Sequence, residues 1–334
     1  MSRVGVWCNN HNNAQHLTSA ISSVLKQNYR DFTLYAVDNS TDPAATQIWA
    51  DAFAADNRIV LVNLPESLKR RGIPTMDYAW RFLNDKGHDY TITLGGHDFW
   101  AEDTHLEVLV NRMDAELKAF GPTGASLLYC DTWQVNEATE IIGRFQNIMQ
   151  FRQVPRAFIP QAVITTVDSP QFFGLWNETI RRKIPIRHLC SGFDHLIVME
   201  AALHGAILYE GGAKFIMRAP KPDDDTSKYG QRHLSDEVLA AGPQSYIDQL
   251  EWLAHAVDLA TDTLPPEAKA SYKMMLTASI VDAYCVLRGY NLLHVPGAYH
   301  AFTANPLTIE LMKGSHHSFR MLNALIQDSK PRVA

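Results

Sequence analysis

Ser22-Ser23-Val24-Leu25-Lys26-Gln27-Asn28-Tyr29-Arg30-Asp31-Phe32-Thr33-Leu34, followed by Val37-Asp38-Asn39-Ser40-Thr41-Asp42, contains a helix end, a strand and a turn in one phrase. Leu17, Ile21, Val24 and Leu25 recur at the spacing of one apolar helix face, and residues 32–37 form a compact strand-like run. The short polar side chains of Asp38 to Asp42 can hydrogen-bond a turning backbone, and Pro43 suits the opening of a helix. Upstream, Val4-Gly5-Val6-Trp7-Cys8 reads as a first strand leading into Asn9-Asn10-His11-Asn12-Asn13. Downstream, residues 59–62 read as a third strand and residues 75–84 as a helix. Residues 90–94 read as a fourth strand that stops at Gly95-Gly96-His97-Asp98. Strands alternating with helices predict an α/β fold with a mainly parallel sheet flanked by helices, whose ligands bind at the carboxyl ends of the strands. Residues 9–13, 38–42 and 95–98 are therefore expected to converge on one cleft.

The rest of the chain is less regular. Residues 126–130 suggest a strand ending at Asp131, residues 157–163 a buried segment, residues 193–204 a helix and residues 214–217 a late strand. Residues 220–230 have a loop-like composition, and the pattern from about 235 to 287 is helical. A boundary near 230 divides an α/β domain, 1–230, from a helical C-terminal region, 231–334. The first domain has a donor half of about 1–110 and an acceptor half of about 111–230.

Over all 334 residues, 46% are hydrophobic and 20% charged, a balance that excludes disordered, collagen-like and coiled-coil chains. The formal charge of −6 argues against a duplex-wrapping protein. Cys8, Cys130, Cys190 and Cys285 lie far apart without a C-x-x-C spacing, which points to a reducing, cytoplasmic setting rather than a disulfide framework. The apolar run after Arg3 is too short for a signal peptide, and no segment is long and apolar enough to span a bilayer.

The helix-end phrase and Val37-Asp38-Asn39-Ser40-Thr41-Asp42, together with Val4-Gly5-Val6, Asn12-Asn13 and Leu17, resemble the opening of the family 2 type of nucleotide-sugar glycosyltransferases. The resemblance continues through Arg58-Ile59, Gly72 and Asp98-Phe99-Trp100, and fades after about residue 220. It implies a GT-A fold with a helical C-terminal extension, and transfer of a sugar from a nucleotide-sugar donor, a UDP-sugar, to a hydroxyl acceptor. It carries the donor-base contact onto Asp38, where a carboxylate can accept from a base N–H. Asp42 is the better candidate for capping the next helix. Asn9 and His11 stand where the nucleotide pocket begins, although the family more often has Pro and an aromatic residue there.

The fourth strand end departs from the pattern. The family usually has Asp-x-Asp here, to hold a divalent cation against the departing phosphates. In this chain Gly95 replaces the first carboxylate, leaving Asp98 with His97 beside it. These two could bind manganese or magnesium, with donor phosphates completing the shell. Alternatively, Gly95 and Gly96 could let backbone N–H groups approach the phosphates. Lys69-Arg70-Arg71 could add charge, or be a solvated loop. Where the family often has a His that assists the metal, this chain has Pro220, while Arg218 and Lys221 are cations that could contact diphosphate. Gly192-Phe193-Asp194-His195 resembles the block that carries the general base, which makes Asp194 the catalytic candidate for an inverting transfer.

Four questions remain open from the sequence. Trp100, Trp133, Trp176 and Phe172-Phe173 could line an acceptor sugar, or be core. The domain could have lost catalysis and bind nucleotide or carbohydrate only. It could also act on modified nucleic-acid bases, against which the acidic charge weighs. The C-terminal region could cover the cleft or make a homo-oligomer contact.

Overall fold

The computed structural model describes residues 1–68, 72–145, 150, 152, 154–164, 170–187, 193–219, 244–270 and 273. The chain forms two compact units, each assembled from several stretches. The first comprises Met1–Arg152, Pro170–Pro185 and His204–Asp225, and the second Gln153–Ser169, Ile186–Leu203 and Thr226–Ala334. The boundary expected near residue 230 lies outside the described residues, as do Lys69-Arg70-Arg71, Gly192, Pro220, Lys221, Asp223-Asp224-Asp225 and His316-His317.

The first unit is built on a nine-stranded sheet. Its strands are β1 (Val4–Asn10), β2 (Phe32–Asp38), β3 (Ile59–Val62), β4 (Tyr90–Gly95), β5 (Phe99–Trp100), β6 (Ala125–Val135), β7 (Ile141–Phe145), β8 (Leu175–Asn177) and β9 (Ala206–Arg218). The order is β3-β2-β1-β4-β8-β6-β9-β5, with β7 added on β6. The first four strands expected from the sequence, β1 to β4, are all parallel, and β6 and β9, which contain the two later ones, are parallel to each other. The short strands β5, β7 and β8 pair antiparallel. The fold is thus mixed α/β, mostly parallel, as expected.

Both faces of the parallel part are covered, which explains why its strands read as continuous apolar runs. Val4, Val6 and Cys8 of β1 share one core with Leu17, Ala20, Ile21 and Val24 of α1 (Ala14–Leu25), Ala45 and Trp49 of α2 (Pro43–Ala55), and Leu106, Leu109 and Met113 of α4 (His105–Phe120). Trp7, from the opposite face of β1, packs with Tyr35, Val37, Ala79 and Leu83 beside α3 (Gly72–Phe82). Asp42 is the N-cap of α2, accepting from the Ala44 N–H at 2.9 Å, with Pro43 at the first helical position.

Several elements are longer than the sequence suggested. Strand β1 runs on to Asn10, so Asn9 and Asn10 are strand residues rather than loop. Strand β6 continues past Asp131 to Val135, and β9 spans thirteen residues rather than four. The two accommodate each other through a register shift at Cys130/Asp131, which opposes Glu210 and then Lys214. The residues proposed as a sugar-lining wall are mainly core: Trp100, Phe172 and Trp176 are buried, and Trp133 alone of the tryptophans is half-buried.

A short helix, α6 (Glu178–Arg181), follows β8 in the first unit. The second unit contains α5 (Ile159–Ile164), α7 (Phe193–His204) and α8 (Gln244–Thr261). Every residue from Leu196 to Leu203 is buried, as suits a helix apolar all round. The exception in character is Glu200, whose buried carboxylate accepts from Arg187 Nε and Nη2 at 3.2 and 2.9 Å and from Trp252 Nε1 at 2.8 Å. No described helix is long and apolar enough to cross a membrane.

Candidate functional site

The parallel ladder holds the ends of three strands level. Asn10 lies opposite Asp38, and Asn9 opposite Gly95. The ladder runs one step further on each side, with Asn39 N–H donating to Asn10 O and Gly96 N–H to Asn9 O, both at 2.8 Å. Residues 9–10, 38–39 and 95–96 are therefore adjacent at one edge of the sheet within the first unit.

Asp38 sits half-buried at the end of β2. Its Oδ1 accepts from Ser40 N–H at 3.2 Å, from the Ser40 hydroxyl and from Asn10 Nδ2 at 3.4 Å, and its Oδ2 accepts from Thr46 Oγ1 at 2.6 Å. The first of these closes an Asx turn, which aims the carboxylate. Beside it opens a cleft of about 420 Å³ whose lining includes Ser40, Thr46, Trp49, Leu61 and Asn63. Nε1 of Trp49 is buried without an acceptor among the described residues. A space of this size suits a nucleoside-sized group.

On the other side, His11 Nδ1 is 2.9 Å from Asn39 O, and Asn12, at a φ of 53°, accepts from Thr41 N–H at 3.0 Å. The two loops after β1 and β2 are thereby tied together. Asn9 Oδ1 and Asn10 Oδ1 are buried acceptors with no donor among the described residues. Unpaired acceptors at a strand end are costly unless something supplies a donor.

At the end of β4, Asp98 is only 3% exposed. Its Oδ1 accepts from Arg218 N–H at 3.0 Å and lies 3.4 Å from His97 Nε2. Burial pushes its carboxyl upward, opposed by His97 and by the Arg218 N–H and charge. A Cβ on Gly95 would lie 2.6 Å from Asp98 Oδ2, and one on Gly96 would lie 2.7 Å from Asn10 Oδ1 and 2.9 Å from Asn10 Cα. Close approach of the Asn10 backbone requires Gly96, whereas a side chain at residue 95 would have to displace the Asp98 carboxylate. Neighbouring Cys8 has its thiol pushed up by burial and then by the Asp98 charge, so it is not a reactive thiolate.

Arg218, at the end of β9, donates through Nε to His97 O at 3.3 Å and through Nη1 to Asn136 O at 3.0 Å, Glu137 O at 3.3 Å and Thr139 Oγ1 at 3.3 Å. It is not a surface ion-pair residue but a buried clamp joining the β6–β7 turn to the β4 end. His16, in the first turn of α1, meets Glu137 at 3.0 Å, and its pKa is lowered by burial and then by Arg218.

The sequence reading placed Asn10 and Ser40 in the polar clusters without giving them a role, and it missed Thr46, His16 and Glu137. The serine two residues after Asp38 was a legible Asx-turn signal; the contact between His16 and Glu137, 121 residues apart, left none.

A divalent cation would call for oxygen ligands facing it. Among the described residues no group of three His, Cys, Asp or Glu is placed to hold one. Asp98 is buried and already accepts a backbone N–H, so this donor set does not fit a resident cation.

Asp194 belongs to the second unit, in the first turn of α7, where the helix dipole favours an anion. Its Oδ1 is 3.3 Å from His195 Nδ1, and its side chain is 34% exposed.

The strand ends that build this site fall within one recognisable stretch. Residues 9–162 match the family model Glycosyl transferase family 2. Among solved structures, residues 1–349 of S. aureus TarS in complex with UDP-GlcNAc align at a TM-score of 0.52 and 13% identity, covering 98% of this chain and 92% of that one. A longer structure of S. aureus TarS aligns at 0.50 and 15% identity, covering 96% of this chain. The chain spans 55% of the length of that structure. At such identities the likeness is one of fold, and the fold is similar to that of GT-A glycosyltransferases. No curated protein sequence matches the chain.

Proposed function

We propose that this chain is a glycosyltransferase that moves a sugar from a nucleotide-sugar donor, a UDP-sugar, to a hydroxyl acceptor with inversion. The observation that carries the proposal is the level register of β1, β2 and β4, which gathers Asn9, His11, Asp38 and Gly96 at one edge within the stretch matching the family 2 model. In this reading Asp38 accepts from an N–H of the base. Asn9 and His11 stand beside the base and ribose, and Asn10 orients the Asp38 carboxylate through Nδ2.

Asp194 is the proposed general base. It takes the acceptor hydroxyl proton as that oxygen attacks the anomeric carbon. The bond from that carbon to the diphosphate oxygen breaks, and the nucleoside diphosphate leaves with the electron pair. The dispersed cysteines support a cytoplasmic setting, and Cys8 and Cys130 are free and buried.

The test is a donor panel of UDP- and GDP-sugars assayed for release of the nucleoside diphosphate, with wild type and Asp194→Asn. The expected result is turnover with one nucleotide class. Asp194→Asn should lower kcat by about 10²-fold or more while donor binding is retained. Nucleotide binding without turnover on any donor would instead support a binding module, the reading that the missing first carboxylate favours. Failure to bind any nucleotide would overturn both.

A further inference from the structure

The turn after β4 carries an inference that rests on the donor-site reading above: we infer that this chain binds its nucleoside diphosphate without a divalent cation. A cation held by the fourth strand end needs two carboxylates, or one with a free face, turned toward the phosphates. Neither condition is met. Asp98 is 3% exposed and has Oδ1 engaged by the Arg218 N–H at 3.0 Å. Its Oδ2 is turned to the backbone at residue 95, where a Cβ would approach it to 2.6 Å and would stand 3.2 Å from His97 Cε1. The position of the absent first carboxylate is therefore filled by Asp98 itself. Asp98 acts as a brace between the β4 turn and the end of β9, and an acid at residue 95 would have to displace the Asp98 carboxylate from that brace.

The groups that stand around the brace are the Arg218 guanidinium and the His97 imidazole. Arg218 carries a fixed charge, held by His97 O and by the carbonyls of Asn136 and Glu137. The His97 side chain is 40% exposed beside it. Diphosphate charge is met by such groups in the absence of a metal.

Calorimetric titration of the full chain with UDP and with GDP, in excess EDTA and in excess manganese, tests the inference. The expected result is an affinity that differs by less than about threefold between the two conditions. Tightening by manganese beyond about threefold would overturn the inference while leaving the donor-site reading intact. Absence of binding in both conditions would overturn the two together. Gly95→Asp supplies a second readout. It should lower Tm and gain no manganese-dependent affinity, and an unchanged Tm with a gain of manganese dependence would contradict the steric argument.

Discussion

His105 opens α4 with its imidazole fully buried and stacked on Trp100, the ring centroids 4.8 Å apart. Burial drives its pKa down from 6.5 to about 3. In the native state the ring stays neutral where the unfolded chain takes up a proton. The unfolded state therefore binds more protons below pH 6.5, and the contribution present above that pH is lost as pH falls toward 3. The expected slope is about 1.4 kcal/mol per pH unit. Urea melts of wild type and His105→Phe at pH 7, 6 and 5 check this, since the variant should show a shallower loss. Parallel losses would assign the acid sensitivity elsewhere. A second residue-scale prediction concerns Gly96, whose added Cβ would collide with Asn10 backbone and side chain. Gly96→Ala should cost about 1–3 kcal/mol in the same measurement. Neither fact was visible in the sequence. Gly95-Gly96 announced a turn, yet the atoms that those glycines accommodate come from Asn10 and Asp98, and the demand appears only once the strands are level.

At the scale of elements, the sheet interior contains a charged cluster that fixes how β8 and α6 sit against β4 and α3. Arg181 is 1% exposed and gives Nη2 to Glu178 Oε2 at 2.8 Å and to Asn84 Oδ1 at 2.8 Å, and Nη1 to Trp80 O at 2.7 Å. Glu178 accepts in addition from Thr91 Oγ1 at 2.7 Å and from Arg182 Nε at 3.1 Å. Removing one partner leaves the other charge buried, so Arg181→Met should destabilise by about 3–5 kcal/mol. The double variant Glu178→Leu with Arg181→Met should recover part of that loss, and a double variant less stable than the single one would contradict the account. This cluster also shows why some elements were illegible. Strands β1, β2 and β4 are buried on both faces and read directly as apolar runs, and β3 reads as one although Val60 and Leu61 are exposed. Strands β5 and β8 have two and three residues and exist because distant partners receive them. The Asn9-Asn10 pair looked like loop because its side chains are polar, whereas its backbone still pairs with Asp38 and Gly95.

For the whole molecule, the central claim is that loops after three separate strands form one grip for an activated sugar nucleotide. The polar clusters at residues 9–13, 38–42 and 95–98 made the adjacent strand ends legible, since turn-forming residues at the ends of apolar runs mark where a parallel sheet presents its edge. The organisation of the units was not legible. The second unit takes residues 153–169 and 186–203 from within the range assigned to the first domain. Hydrogen exchange of the full chain with and without saturating UDP tests the claim most directly. The account predicts new protection in all three strand-end loops, residues 9–13, 38–42 and 95–98, together. Protection confined to other parts of the chain, or none at all, would contradict it.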